Sequence, residues 1–199
     1  TVPARERVLT DDEIRSLWTG ASVLSIMARL QLMTAQRIGS IGRMKWDDLD
    51  LKCKIWNIPA HDMKSAKSHA VPLSDRAVSL LSNWPRLPGP HVFGVGSDGA
   101  KAFNGRSKGM MRMRESGIAS DWRLHDLRRT AVTLAQRGGA GIDEIKALTQ
   151  HKVAGVIGVY ARHTYEMEQR SVVELIEKQI WNILAQVEEQ SVRVGVPAE

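Results

Sequence analysis

The stretch from 121 to 162, DWRLHDLRRTAVTLAQRGGAGIDEIKALTQHKVAGVIGVYAR, constrains this chain more than any other. If Asp126 to Arg137 is helical, Leu127, Ala131 and Leu134 fall at i, i+4 and i+7, a stripe that faces a core. Gly138, Gly139 and Gly141 stop that helix and turn the chain. Ile142, Ile145 and Leu148 then mark a second short helix. The polar residues are placed against this frame. His125 and Arg128, three apart, open one face of the first helix. His151 follows the second helix, and Tyr160 comes nine residues later.

Those residue types suit phosphoryl transfer at a phosphodiester. Arginine offers a planar fork of donors that matches two phosphate oxygens. Histidine donates to phosphate or moves a proton near neutral pH. Tyrosine can attack phosphorus and hold the product covalently. Taken singly, a tyrosine in VIGVYAR reads as a core aromatic and an HxxR pair as two solvated side chains on a helix. The ordered set is what points to chemistry.

Elsewhere the periodicity is mainly helical. Thr1 to Val8 reads as a linker. Thr10 and Glu13 form a capping box that opens a helix at Asp11, with Ile14, Leu17 and Trp18 inward. Ala21 to Met33 is apolar around most of its circumference, which predicts burial on most sides. Leu51 to Ala60 has strand composition and HAVPL at 69–73 looks like its partner, joined by a connection holding Lys64 and Lys67. Ser74 caps a helix to about Trp84, ended by Pro85, Pro88 and Pro90. Val92 and Phe93 read as extended and 94–99 as loop. A long amphipathic helix starts near Glu168, with Val172, Val173, Ile176, Ile180, Ile183, Leu184 and Val187 on one seam, and 191–199 reads as a frayed tail. The expected fold is mainly α with a small antiparallel sheet near residues 51–73.

Charge narrows the partner. The net charge is +6, but residues 166–199 hold seven acids and three bases, so the remainder carries +10. A basic body suits a polyanion, and the acidic C-terminal helix should face protein or water. Lys101, Arg106, Lys108, Arg112 and Arg114 lie in a stretch without acids, a candidate for phosphate-backbone contacts. The lone Cys53 excludes an internal disulfide and suits a reducing cytoplasm. Neither CxxC nor HExxH spacing occurs, so no metal site is expected. No apolar run reaches the ~18 residues of a membrane span, and no signal peptide opens the sequence.

HDLRRT, then LTQHK, then Tyr160 nine residues after His151 resembles the catalytic domain of tyrosine recombinases, close to the prophage integrase branch. The pattern there is His-x-Leu-Arg-Arg-Thr, Leu-Gly-His, then the nucleophile. His125, Arg128, His151 and Tyr160 match its catalytic positions, and Arg129 its second, non-catalytic arginine. TAQRIGSIGRMKWDDLD resembles the segment Thr-Gly-x-Arg that leads to Trp-x-Asp-Leu, which makes Arg37 the first catalytic arginine. Lys64 in the hairpin before VPLS matches the catalytic lysine better than Lys67. Three departures stand out. Ala35 and Gln150 replace usual glycines, and Ser40 stands where an acid often sits.

The resemblance implies the DNA breaking–rejoining catalytic fold over roughly 9–190, preceded in relatives by a separate N-terminal domain. The chain is therefore expected to be an isolated catalytic portion that integrates or excises phage or prophage DNA. It implies a 3′-phosphotyrosine intermediate, no cofactor, double-stranded attachment sites as partner, and self-association on DNA through the C-terminal helix. A cytoplasmic, nucleoid-associated location follows. The alternatives are a type IB topoisomerase-like relaxing activity, an inactive DNA-binding module of the same fold, and a helical protein-interaction domain.

Overall fold

The computed structural model describes residues 6–63, 66–150 and 165–193, with side chains to Gln186 in the last helix. Helix α1 (Asp11–Thr19) opens on the expected capping box: the Glu13 amide donates to Thr10 Oγ1 and the Thr10 amide to the Glu13 carboxylate. Helix α2 (Val23–Thr34) is capped by Ser22 and buries Leu24, Met27, Ala28, Leu30, Leu32 and Met33, so it runs through the core as its breadth predicted. Helix α3 (Ile38–Arg43) follows after Ala35, whose φ of 54° turns the chain.

The sheet is smaller than expected and one strand richer. Strand β1 (Leu49–Asp50) pairs antiparallel with β2 (Ile55–Ile58), and β2 with β3 (His69–Pro72). Residues 51–54, expected to be strand, are a turn: the Asp50 carboxylate accepts the Cys53 amide, and Lys54 takes a φ of 56°. Alternation along β2 and β3 sends Trp56, Ile58, His69 and Val71 inward, with Ile58 opposite His69.

Helix α4 (Asp75–Ser82) is capped by Ser74, as expected. Next, Val92 pairs back on Met44, and the stretch expected to be loop contributes β4 (Gly94–Val95), which joins β5 (Lys101–Ala102). Helix α5 (Arg106–Glu115) meets α2 where Gly109 lies against Leu24; a Cβ there would sit 2.7 Å from Leu24 Cδ2. Helix α6 (Leu124–Arg137) buries Leu127, Ala131 and Leu134 against α2. Gly139, at φ 96°, helps turn the chain into α7 (Ile142–Thr149). Ile145 and Leu148 point inward there, but Ile142 is exposed.

The C-terminal helix, α8 (Glu166–Arg193), packs against α1, α2, α6, α7 and β3. Val172, Val173, Ile176, Ile180 and Ile183 are buried in this body. At about 1.5–3 kcal/mol per buried side chain, that seam is a main support of the fold. The helix runs on to Arg193, into the stretch expected to be a frayed tail. At the other end Arg7, expected in a linker, is tied to Glu13 and Asp121. No described helix is long and apolar enough to cross a membrane.

Candidate active site

The first turn of α6 carries the charged centre. Asp126, fully buried, accepts the Arg123 amide and pairs with Arg129 at 2.8 Å. Arg129 is thus occupied in holding the helix start. Its neighbour Arg128 points into the body and is only 3% exposed. One of its guanidinium nitrogens donates to the Thr149 carbonyl at 2.5 Å. The other, Nη1, is buried with no hydrogen-bond partner among the described residues. Burial, and then the nearby charge of Arg37, bring the Arg128 pKa down from 12.5 to about 10. It is still cationic at neutral pH. The charge of the half-buried Arg37 thus reaches a buried guanidinium that, among the described residues, keeps a spare donor. An anion is the ligand that such an arrangement lacks.

His125 sits at the exposed rim of the same region. It shares a cavity of 380 Å³ with Arg128, Arg129, Val132 and the linker residues Glu6 and Val8. Desolvation, then the charges of Arg129 and Arg128, lower its pKa below the usual 6.5. The ring is neutral at pH 7 and able to accept a proton. A larger cavity of 490 Å³, lined by Trp18, Trp84 and Trp181 with Arg29 and Arg76, contains none of the candidate residues.

Arg37 enters from the turn between α2 and α3, where it is the residue before the first helical one and makes no side-chain cap. Ser40, at the position where an acid was expected, is buried, and its amide bonds the Arg37 carbonyl. The two positions where glycine was expected both take left-handed backbone: Ala35 at φ 54° and Gln150 at φ 50°. The resemblance therefore pointed to real backbone requirements, met here by residues whose Cβ makes the conformation sterically costly.

The carbonyls at the end of α7 collect side chains from elsewhere. Leu148 O accepts Gln36 Nε2 at 2.8 Å and bonds His69 Nε2 at 2.9 Å, while Thr149 O accepts Arg128. Gln150 Nε2 reaches back to Ser68 O at 3.4 Å. Neither His69 nor Gln36 was singled out from sequence. His69 could have been: it is in phase with Val71 in a strand whose alternation is legible, so a histidine was due to point inward.

Lys64, His151 and Tyr160 lie outside the described residues. Lys67, the other hairpin lysine, is exposed. The five bases at 101–114 do not form one face. Arg106 sits beside α3, its Nη1 3.4 Å from where a Cβ on Gly39 would be. Lys108 and Arg112 line a different recess with Ser22 and Phe103. Arg114 turns back to donate to the carbonyls of Ser120 and Trp122. Lys101 is exposed on β5.

Comparison with known proteins assigns the family. Residues 7–167 match the sequence model of the phage integrase family. Prophage integrase IntA of Escherichia coli K12 is 28% identical over 154 residues, 72% of this chain and 35% of that protein. The shufflon-specific DNA recombinase of Escherichia coli is 30% identical over 161 residues, 78% of this chain and 40% of that one. The chain thus spans less than half the length of these relatives. Among solved structures, the integrase from mycobacterium phage Brujita superposes with a TM-score of 0.69 at 17% identity, covering 92% of this chain and 65% of that one. A lambda integrase dimer bound to a COC′ core site gives 0.58 at 19% identity, covering 76% and 60%. With a family match over residues 7–167 and the mainly helical, small-sheet fold of these recombinases, the chain belongs to the phage integrase family.

Proposed function

We propose that this chain cleaves and rejoins DNA in site-specific recombination, integrating or excising a phage or prophage element through a 3′-phosphotyrosine intermediate. The observation that carries this reading is Arg128: a buried guanidinium whose Nη1 has no partner among the described residues, beside a second arginine. A scissile phosphate supplies the missing acceptor and offsets the repulsion.

In the proposed reaction the Tyr160 oxygen attacks phosphorus, forming a new P–O bond as the bond to the 5′ oxygen breaks. The tyrosine proton passes to His125, which is neutral at pH 7. Lys64 gives a proton to the departing 5′ oxygen. Arg37 and Arg128 hold the non-bridging oxygens, with His151 as a further donor. Rejoining reverses each transfer. One phosphoester replaces another, so the energy of the bond is kept and no nucleotide is consumed. The roles of Lys64, His151 and Tyr160 rest on the motif match.

The partner is double-stranded DNA carrying attachment sites, in the nucleoid of a bacterial host, with Lys101, Arg106, Lys108 and Arg112 as backbone contacts. Arg114 is less suited, since it already serves two carbonyls. The lambda integrase dimer on its core site supports assembly on DNA. We propose the C-terminal helix as one contact between copies. Its seam from Val172 to Ile183 is buried in its own body, so a neighbour would meet the opposite face or the last turns. The test is a nicked suicide DNA substrate followed by peptide mapping. An adduct on Tyr160, lost in Tyr160→Phe with binding retained, is expected. An adduct on Tyr165 overturns the assignment, and no adduct from the wild-type chain overturns the activity.

A further inference from the structure

The last carbonyls of a helix have no partners within it and must find donors elsewhere. In α7 they find side chains from three separate elements. Gln36 comes from the turn that carries Arg37, His69 from the strand that closes the lysine hairpin, and Arg128 from α6. Gln150, next in the chain, ties the same corner to Ser68 of the hairpin. A carbonyl can only accept, so His69 Nε2 carries the hydrogen, and both lone pairs of Leu148 O are used. His69 is 7% exposed. Burial pushes its pKa below the usual value, helped by the charge of Arg128 and opposed by the bond to Leu148 O.

We propose that His69 is a positioning residue for strand cleavage: its bond to Leu148 O, beside that of Gln36, locks the lysine hairpin, the Arg37 turn and the end of α7 into one register. Lys64 stands five residues before His69, and His151 directly follows Gln150. The elements that His69 and Gln36 join are thus the ones from which the lysine, the first arginine and the second histidine depart. Displacement of a catalytic group by about 1 Å can cost on the order of 100-fold in rate. His69 itself touches no reacting atom, which separates it from the roles assigned to His125 and His151.

The inference rests on the cleavage reading, and its test keeps the two apart. The full chain is compared with His69→Leu, which removes the donor, and His69→Gln, whose Nε2 can take the place of the ring Nε2. At saturating suicide substrate, adduct formation by His69→Leu should slow about 10- to 100-fold with little change in DNA affinity, and His69→Gln should recover most of the rate. Amide exchange in the segment ending at Gln150 should quicken about tenfold in His69→Leu and stay near wild type in His69→Gln. If substitution by Leu prevents folding, His69→Asn, too short to reach Leu148, replaces it. Unchanged exchange at the end of α7 overturns the proposal. So does a His69→Gln protein as slow as His69→Leu, which would mean that the imidazole itself does proton chemistry. A wild-type chain that forms no adduct defeats the cleavage reading, and the exchange measurement still decides the role of His69.

Discussion

Two basic regions of this molecule behave differently. The stretch from Lys101 to Arg114 holds five bases and no acid, yet the fold spreads them: Arg106 beside α3, Lys108 and Arg112 over a separate recess, Arg114 bound to two carbonyls. The other region has fewer cations, but Arg128 is buried, feels the charge of Arg37, and keeps a donor with no partner among the described residues. Charge density along a sequence therefore does not by itself make a site for one phosphate. A binding centre for one phosphate comes from desolvation and unmet donors. Water and salt screen each exposed base on α5, whereas a buried guanidinium is screened much less.

The comparison breaks most sharply at Arg128. Arg128→Gln should lower cleavage by about 10²–10³-fold, the usual loss when one donor to a developing charge is removed. The fold should tolerate the loss of charge. A pKa held at about 10 instead of 12.5 means that the folded state disfavours the charged form, at a cost on the order of 3 kcal/mol at neutral pH. Sulfate or orthovanadate should accordingly raise the melting temperature of the wild-type chain and have little effect on Arg128→Gln. Equal anion stabilisation of both proteins would show that the centre is no anion site.

The pH dependence sharpens the same region. His125 binds its proton less readily than a free histidine because of desolvation and the charges of Arg129 and Arg128. In its proposed role as base for Tyr160 it should stay competent below the usual histidine range, so the acid limb of the cleavage profile should be displaced to lower pH. The sign for stability is consistent: a lowered histidine pKa costs stability as pH falls through the ordinary histidine range. Neutralising the neighbour with Arg129→Gln should move the acid limb upward. A limb that does not move would assign the titration to another group.

The exposed region should respond weakly. Lys108→Gln or Arg112→Gln should weaken DNA binding a few-fold across all sequences, and each should reduce the salt slope by about one, as one phosphate keeps its counterion. The rate of cleavage once DNA is bound should not change. Arg114→Gln should destabilise the loop after α5 more than it weakens binding, since its donors already serve Ser120 and Trp122. If Lys108→Gln abolished cleavage of saturating DNA, the division between the two regions would fail.

The helices and the charged turn of α6 were legible because they rest on local rules. The Thr10 and Glu13 capping box, the Leu127–Ala131–Leu134 stripe and the α8 seam from Val172 to Ile183 fall where spacing puts them, with Leu184 part-buried and the side chain of Val187 outside the described residues. The sheet was less legible, because Asp50 bends the chain through its carboxylate and diverts residues 51–54 into a turn. Ile142 matched the apolar spacing of α7 but faces outward, since the spacing leaves the helix's first turn free to clear the core. What sequence did not show at the site was the meeting of Gln36, His69 and Arg128 on the carbonyls of α7. Those bonds join residues from distant parts of the chain to main-chain atoms, which carry no residue identity to recognise. The resemblance did show where backbone had to turn left-handed, through the glycines it expected at Ala35 and Gln150.

Those two residues supply the smallest and most local test. Among non-glycine residues with positive φ, Ala35 and Gln150 flank the buried arginine region, and none lies between Lys101 and Arg114. A left-handed alanine costs about 1–2 kcal/mol through its Cβ, while glycine gives back about 0.5–1 kcal/mol of that in unfolded-state entropy. Ala35→Gly should thus stabilise the chain by about 0.5–1 kcal/mol, read as a higher denaturant midpoint with an unchanged slope. Gln150→Gly relieves a similar clash but removes the amide that bonds Ser68 O, so its gain should be smaller. Cleavage by Ala35→Gly should stay near wild type, because Gln36 and Arg37 keep their bonds and their approach. If Ala35→Gly gained stability and lost cleavage together, the strained turn would itself be holding Arg37 against Arg128. The approach of Arg37 to the buried Arg128 would then depend on backbone strain in the turn.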